Sequence, residues 1–451
     1  MADMLKEPYL WLSADDLGTE LKQLEDEGRD TSPLREAFEE LIALGDEKLF
    51  GASNQRRAGA LLDSGQRLPM RRGYVFEEPS GLAKIKERRA RGPRGIGKPL
   101  SGKALQDRFL GAWLGRCAGC LLGKPVEGRH TKRLWDFLKM TGQWPLSDYI
   151  RFGVTGEAAD AYPGYVAMKA FDSIDHMPVD DDIDYTLAGL LIVKEKGAAF
   201  TPADVAHFWM QNIPLLRTYT AERVAYRNLS MHVQPPASAS YRNPYREWIG
   251  ARIRADAFGY LSAGNPERAA EFAWRDASIS HVKNGIYGEM LIAAMIAAAP
   301  FCDDVRVLLE VGLGEIPKTS RLYADIREVM GWRADGVTYD EAVARIHERW
   351  DEYSWHHWAH TNSNTVICTA ALLWGEGDFG KSICRAVQPG FDTDCNGATV
   401  GSIMGMMLGA KRIPSSWTGR LNNTLKTSLT SFETVDIERI ARETFELHKR
   451  L

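Results

Sequence analysis

Residues Gln388–Ala410 read QPGFDTDCNGATVGSIMGMMLGA, and two periodicities overlap in them. Asp392, Asp394 and Asn396 stand at every second position, and Gly397, Gly401, Gly405 and Gly409 follow at every fourth. A spacing of four sets the glycines along one face of a helix. Each interior glycine costs a helix about 1 kcal/mol relative to alanine, so some other contact must offset the loss. Close approach of a second backbone is the simplest candidate. A matching stripe, Gly111, Gly115, Gly119 and Gly123, lies in RFLGAWLGRCAGCLLGKPVEG (Arg108–Gly128). The two helices are therefore expected near the centre of the protein and against each other, with the acids before the second brought toward the end of the first. A membrane pair is disfavoured, because Arg116 interrupts one stripe, Asp392 and Asp394 precede the other, and neither contains ~20 consecutive apolar residues.

Around these stripes the chain announces helices. Ser32-Pro33 opens LREAFEELIAL and Gly45 closes it, Thr201-Pro202 opens ADVAHFWMQNI, Asn265-Pro266 opens ERAAEFAWRDA, and Thr338 with Glu341 forms a capping box. Long alternating strands are absent from the pattern, so the expected fold class is all-α with many helices. With 451 residues, 44% hydrophobic and 26% charged, the chain suits one large domain and an appendage. The expected division is a helical extension over 1–80 with Leu17, Leu21 and Leu24 on one face, a basic Gly/Pro linker over 81–103, and a main domain over 104–451. Arg217–Trp248 is the longest weakly patterned segment of that domain and is expected to rim a binding site. A net charge of −4 gives no polybasic signature, so neither nucleic acid nor a membrane is the expected partner. The N-terminal MADMLKEPYLWLSADD carries acids where a signal peptide has a basic region, and the expected location is cytoplasmic. The six cysteines are scattered through apolar helical patterns and read as buried thiols.

A second acidic group, Asp180, Asp181, Asp182 and Asp184, precedes another apolar helix. One such aspartate caps a helix and another is welcome at its positive end, so alone the group also fits a solvated helix start. Together with Asp392 and Asp394 it suggests hard oxygen ligands for Mg²⁺, Mn²⁺ or Ca²⁺ rather than Zn²⁺. An EF-hand beginning at Asp392 fails, since its twelfth position is Ile403 instead of a bidentate glutamate. His356 and His360 have the i, i+4 spacing of a zinc helix, but His357 occupies the position of the catalytic glutamate. Cys117 and Cys120 lack the second half of a metal motif.

In their order along the chain, GAWLGRCAGCLLGKPVEG, VDDDIDYTLAGL, DASISHVKNGIYGEMLIAAMIAAA and FDTDCNGATVGSIMGMMLGA resemble the ADP-ribosylglycohydrolase family over roughly residues 104–415. The resemblance implies an all-α fold, two Mg²⁺ or Mn²⁺ ions at the base of a cleft, and hydrolysis of the glycosidic bond joining ADP-ribose to a protein side chain or a small acceptor. Position by position it implies metal ligands Asp180, Asp181, Asp182, Asp392 and Asp394, with Glu127, Asp182 and Asp394 catalytic. Gly250 and Arg254, in IGARIRADAFG, and His281 fall on its substrate positions. From EYSWHHWAHTNSN, His360 and Asn364 are added as substrate contacts, with Trp355 and Trp358 as stacking candidates. Asp180 stands where the family has a hydroxyl residue, Ile183 where it has a polar one, Phe391 where it has glycine, Cys120 where it has aspartate and Cys395 where it has threonine. The implied partner is an ADP-ribosylated protein or a small riboside. Two alternatives stay open: a glycosidase of the same fold acting on another N- or O-riboside, and a non-catalytic ADP-ribose-binding or structural relative.

Overall fold

Two glycine-lined helices, Gly102–Gly123 and Thr393–Leu408, lie antiparallel at the centre of the protein. A Cβ added to Gly111, Gly115 or Gly119 would run into the carbonyl of Gly405, Gly401 or Gly397 respectively, and the reverse substitutions meet the same obstacle. At the end of the series a Cβ on Gly123 would strike the carbonyl of Thr393. Backbone contact on this scale explains why the stripes tolerate their poor helix propensity. It also fixes the register: the end of the first helix meets the start of the second. Thr393 Oγ1 secures that meeting by donating to the Gly123 carbonyl at 2.9 Å.

The structure is a computed structural model that describes residues 7–94, 100 and 102–451. Helices dominate it, as the capping pattern requires, and the sheet among the described residues is one antiparallel pair, Thr424–Lys426 with Thr434–Asp436. The predicted caps at Thr201, Asn265 and Thr338 all accept a backbone hydrogen bond in the first turn. Ser32 does not. Its hydroxyl turns back to Asp30 at 2.7 Å, and the helix begins at Arg35. Among the described residues one stretch, Lys283–Phe301, is long and apolar enough to cross a membrane, and 94% of its most apolar window is buried within the fold. All six cysteines are free, and Cys302 alone among them is not fully buried.

The N-terminal extension contains helices Ala14–Asp26, Arg35–Ala43, Gly45–Leu49 and Ala52–Gly65, with Leu17, Leu21, Leu24, Phe38 and Leu62 in a small core of its own. It is fastened to the rest by buried charge. Arg246 reaches Glu20 at 2.5 Å and Glu27 at 2.6 Å, Lys283 also takes Glu27 at 2.7 Å, and Arg321 pairs with Glu78 at 2.8 Å.

The stretch expected to be a linker differs from that expectation. Leu82–Arg88 is a helix with Ile85 buried; Lys86 pairs with Glu271, Arg89 with Glu267 and Glu315, and Arg94 with Glu315. Its basic residues answer acids on neighbouring helices, which composition alone could not reveal. Residues 95–99 and 101 of that stretch lie outside the described residues. Arg217–Trp248 differs too, since it contains helices Thr220–Ser230 and Ala237–Ser240.

Candidate active site

Three chain segments converge where the glycine helices begin and end. The first helix runs into a short turn, Lys124–Val126, and delivers Glu127. The second starts after Asp392 and carries Asp394 in its first turn. The third is helix Asp181–Lys196, capped by Asp180, whose Oδ1 accepts from the Asp182 amide at 2.9 Å. One oxygen each from Asp180, Asp182 and Asp394 lie within 4.8 Å of one another, and so do oxygens of Glu127, Asp392 and Asp394. Asp394 belongs to both groups. Asp181 lines the same cleft but joins neither.

Little positive charge balances these acids. Lys124 Nζ holds Asp180 Oδ2 at 2.6 Å, and Arg116 reaches Asp182 Oδ1 at 3.4 Å. Arg116 is completely buried and divides its donors among Asp256 at 2.8 Å and the carbonyls of Asp182 and Ile253. Burial pushes the Asp181, Asp182, Asp392 and Asp394 carboxyls above their usual range, and mutual repulsion adds to it. Glu127 sits at the solvent-reached mouth, and there the charge of Asp394 is the foremost cause of a strong upward shift, followed by burial. Burial alone would lower the Lys124 ammonium, but Asp180, Cys120 and Asp394 outweigh it and raise it. Carboxylates crowded in this way, all hard oxygen donors, fit a divalent cation of the Mg²⁺ or Mn²⁺ kind.

Two of the positions where the chain departs from the family pattern border the acids. Phe391, which replaces a glycine, has φ of 60°, a conformation that favours glycine; its buried ring packs 5.2 Å from His347. Cys395 is buried, and its Sγ accepts from Arg252 Nη2 at 2.9 Å. Burial and the surrounding carboxylates keep the Cys120 thiol protonated.

Above the acids lies a cleft of about 360 Å³. Of the expected substrate residues, Gly250 lines it, as do Trp355 and Trp358. Arg254, His281, His360 and Asn364 do not line it; they stand behind its wall. Arg254 is buried, pairs with Asp276 and with Glu222 at 2.6 Å, and donates to the Gly250 carbonyl at 3.0 Å, so it braces the cleft instead of facing it. His281 is wholly buried beside Ser280, with Nδ1 2.8 Å from the serine Oγ, and burial drives its pKa far down. Asn364 Oδ1 accepts from the Asp392 amide at 3.2 Å and from Asn396 at 2.8 Å, which makes it a support for the acidic turn.

His356, His360 and Asp26 form a third cluster of possible ligands. Its hydrogen bonds favour two neutral imidazoles over an ion. Trp248 Nε1 donates to His356 Nδ1 at 3.0 Å and the Asn362 amide donates to His360 Nδ1 at 3.1 Å, so each neutral ring carries its proton on Nε2, the nitrogen an ion would need. His356 Nε2 instead meets Asp26 Oδ2 at 2.9 Å.

The ADP-ribosylglycohydrolase family model matches residues 101–450. The chain belongs to the ADP-ribosylglycohydrolase family. It is accordingly a glycosidic-bond hydrolase of a family that acts on ADP-ribosylated substrates and generally uses divalent metals. No curated protein matches the chain. A solved structure described as an "ADP-ribosylglycohydrolase-related protein complex" is similar at 19% identity over 77% of this chain and 100% of that one, with a TM-score of 0.44; the family assignment rests on the sequence match and not on this likeness.

Reading the sequence missed several residues of the hydrolase's cleft. Glu222 lines it, and burial pushes its carboxyl up to about 7 although Arg254 opposes the shift. Tyr219, Thr220, Glu222 and Trp248 fall inside the segment expected to form a rim, so that segment carried the signal without resolving the residues. A lone arginine amid small residues was the signal for Arg116, since a buried guanidinium demands acidic partners. Nothing in the sequence pointed to Tyr9.

Proposed function

We propose that this protein is a divalent-metal-dependent hydrolase that removes ADP-ribose from a side chain or small acceptor, with residues 104–451 as the catalytic unit and 1–80 as an extension of it. The observation that carries the reading is the pair of carboxylate groups sharing Asp394 at the base of the cleft. Asp180, Asp182 and Asp394 would hold one Mg²⁺ or Mn²⁺ ion and Glu127, Asp392 and Asp394 a second, with Asp181 lining the same cleft. Bound there, such ions supply positive charge and Lewis acidity toward sugar hydroxyls and water.

The chain's own groups do the rest. Cleavage passes through an oxocarbenium-like sugar, whose positive charge the surrounding carboxylates stabilise. Glu127 lies at the solvent-reached mouth of the cleft, placed to orient water or pass a proton to the departing atom whenever it is not itself holding an ion. Lys124 fixes Asp180, Arg116 fixes the start of its helix, and Asn364 fixes the Asp392 turn. The aromatic wall around Trp248 limits water in the cleft.

A second reading, a riboside without a diphosphate, has one observation in its favour. Among the described residues Lys124 is the sole lysine or arginine lining the cleft, and its ammonium is already paired with Asp180. Release of free sugar from ADP-ribosyl-arginine, ADP-ribosyl-serine and unphosphorylated ribosides, followed by chromatography in Mg²⁺, separates the two. Asp394→Asn keeps shape and removes charge; turnover of whichever substrate is cleaved is expected to fall at least about a hundredfold with the fold intact. Near-normal turnover by this variant would remove the metal-centred mechanism.

A further inference from the structure

Tyr9 belongs to the N-terminal extension, outside residues 101–450, yet it lines the cleft together with the acids. Its position is heavily constrained. The backbone has φ of 67°, a conformation that is costly for a bulky residue and persists only where surrounding contacts impose it. Those contacts are visible. The ring meets Tyr245 edge-on at 5.2 Å, and the Arg223 guanidinium lies 5.5 Å from the Tyr9 centroid and 5.7 Å from that of Tyr219. Arg223 is itself locked, donating from Nε to the Thr218 carbonyl at 2.9 Å and from Nη1 to the Pro8 carbonyl at 3.2 Å.

From Tyr9 an arc of rings continues around the cleft. Tyr245 meets Trp248 at 4.6 Å, Trp248 meets Trp355 at 6.2 Å, and Trp355 stacks on Trp358 at 4.7 Å with planes 4° apart. The acids occupy the base, and Tyr9, Tyr219, Trp248, Trp355 and Trp358 line the wall. That division suits a ligand with a hydroxyl-rich sugar at one end and a planar ring at the other. The wall is not a loose lid, because buried pairs from Arg246 to Glu20 and Glu27 hold the extension.

We propose that the N-terminal extension is a fixed wall of the substrate cleft and that Tyr9 is a specificity-determining residue, packing its ring on a planar heteroaromatic group of the riboside. The proposal rests on the cleft being the riboside site. Calorimetry in Mg²⁺ with two probes tests it on the full chain: ADP-ribose, which carries a heteroaromatic base, and ribose 5-phosphate, which carries none. Tyr9→Leu, which retains apolar bulk, is expected to weaken ADP-ribose about tenfold, in line with the loss of one stacking face, and to leave ribose 5-phosphate within about twofold of its wild-type affinity. Tyr9→Phe is expected to restore ADP-ribose affinity. Equal affinities of wild type and Tyr9→Leu for ADP-ribose would overturn the proposal, and so would equal losses for both probes, which mark a purely structural role. Should Asp394→Asn lose hydrolysis while Tyr9→Leu changes nothing, the cleft reading stands and this proposal alone falls. Should wild type bind neither probe, the ADP-ribose reading of the cleft falls and takes the proposal with it.

Discussion

The acid cleft and the seam between extension and catalytic unit are both dense in buried carboxylates, yet they differ in what answers the charge. Across the seam, Glu20 and Glu27 share Arg246, Glu27 also has Lys283, and Glu78 and Glu247 share Arg321. Glu27 and Glu247 are held below the ordinary range, because guanidinium and ammonium charges outweigh the upward push of burial, and Asp26 falls to about 2 through His356. Glu20 and Asp16 are exceptions, since burial wins there even beside Arg246 and the Tyr245 hydroxyl respectively. In the cleft Asp181, Asp182, Asp392, Asp394 and Glu127 are all pushed upward. Burial is common to both regions, so burial does not distinguish a site. The distinguishing feature is carboxylate charge that the protein leaves without a fixed cation.

Removing a fixed cation from the seam should make it behave like the cleft, at a large cost. Arg246→Ala strands Glu20 and leaves Glu27 with Lys283 alone, and breaking a buried pair of this kind typically costs about 3–5 kcal/mol. Urea denaturation should show that loss, while the rise in melting temperature on adding Mg²⁺ persists, because the cleft ligands are untouched. A variant as stable as wild type would mean that the seam's ion pairs do not hold the extension.

Proton uptake offers a smaller test. In the folded, ion-free protein the cleft acids are raised, Glu222 to about 7 and the four aspartates and Glu127 above their usual values. Acids raised in the folded state bind more protons there than in the unfolded chain, so their stabilising effect is lost as pH rises through the folded values. His281 and His356 have lowered folded values, His356 about 4, and so oppose this trend only below about 6.5, where the unfolded imidazole titrates. Between about pH 6.5 and 8 the ion-free melting temperature should therefore fall, by an amount corresponding to roughly 1–2 kcal/mol, the free energy of moving the titration of one group by about a single pH unit. Saturating Mg²⁺ should flatten the slope. A melting temperature that rises over this window would break the contrast, since Glu27, Glu247 and Asp26 at the seam are held below the ordinary range and do not titrate in it.

The smallest effect belongs to an ion pair that is neither seam nor site. Lys194 and Glu443 meet at 2.7 Å with about half and two-fifths of their side chains exposed. Lys194→Ala should change stability by less than about 0.5 kcal/mol, within what solvent screening leaves of such pairs. A loss comparable to that of Arg246→Ala would show that proximity of opposite charges, and not their burial, governs the seam.

Much of this is legible in the sequence. A glycine every fourth residue, in two places, has few physical explanations other than backbone packing, and the observed pairing of Gly119 with Gly397 follows that rule. The acidic motifs at 180–182 and 392–394 are visible because carboxylates that repel one another are conspicuous in a chain that has no local use for them. Capping chemistry is local as well, so Thr201, Asn265 and Thr338 can be read directly, whereas Ser32 is lost to a competing local bond with Asp30. Tertiary structure alone decided which charges are answered and by whom. Arg254 and His281 lie close in sequence to the cleft wall but turn inward, because burying a guanidinium requires Asp276 and Glu222, and those partners come from other helices. The clearest case is Tyr9. Its place in the cleft depends on Arg223 and on ion pairs formed across more than two hundred residues, and no periodicity within a segment records a contact made at that separation.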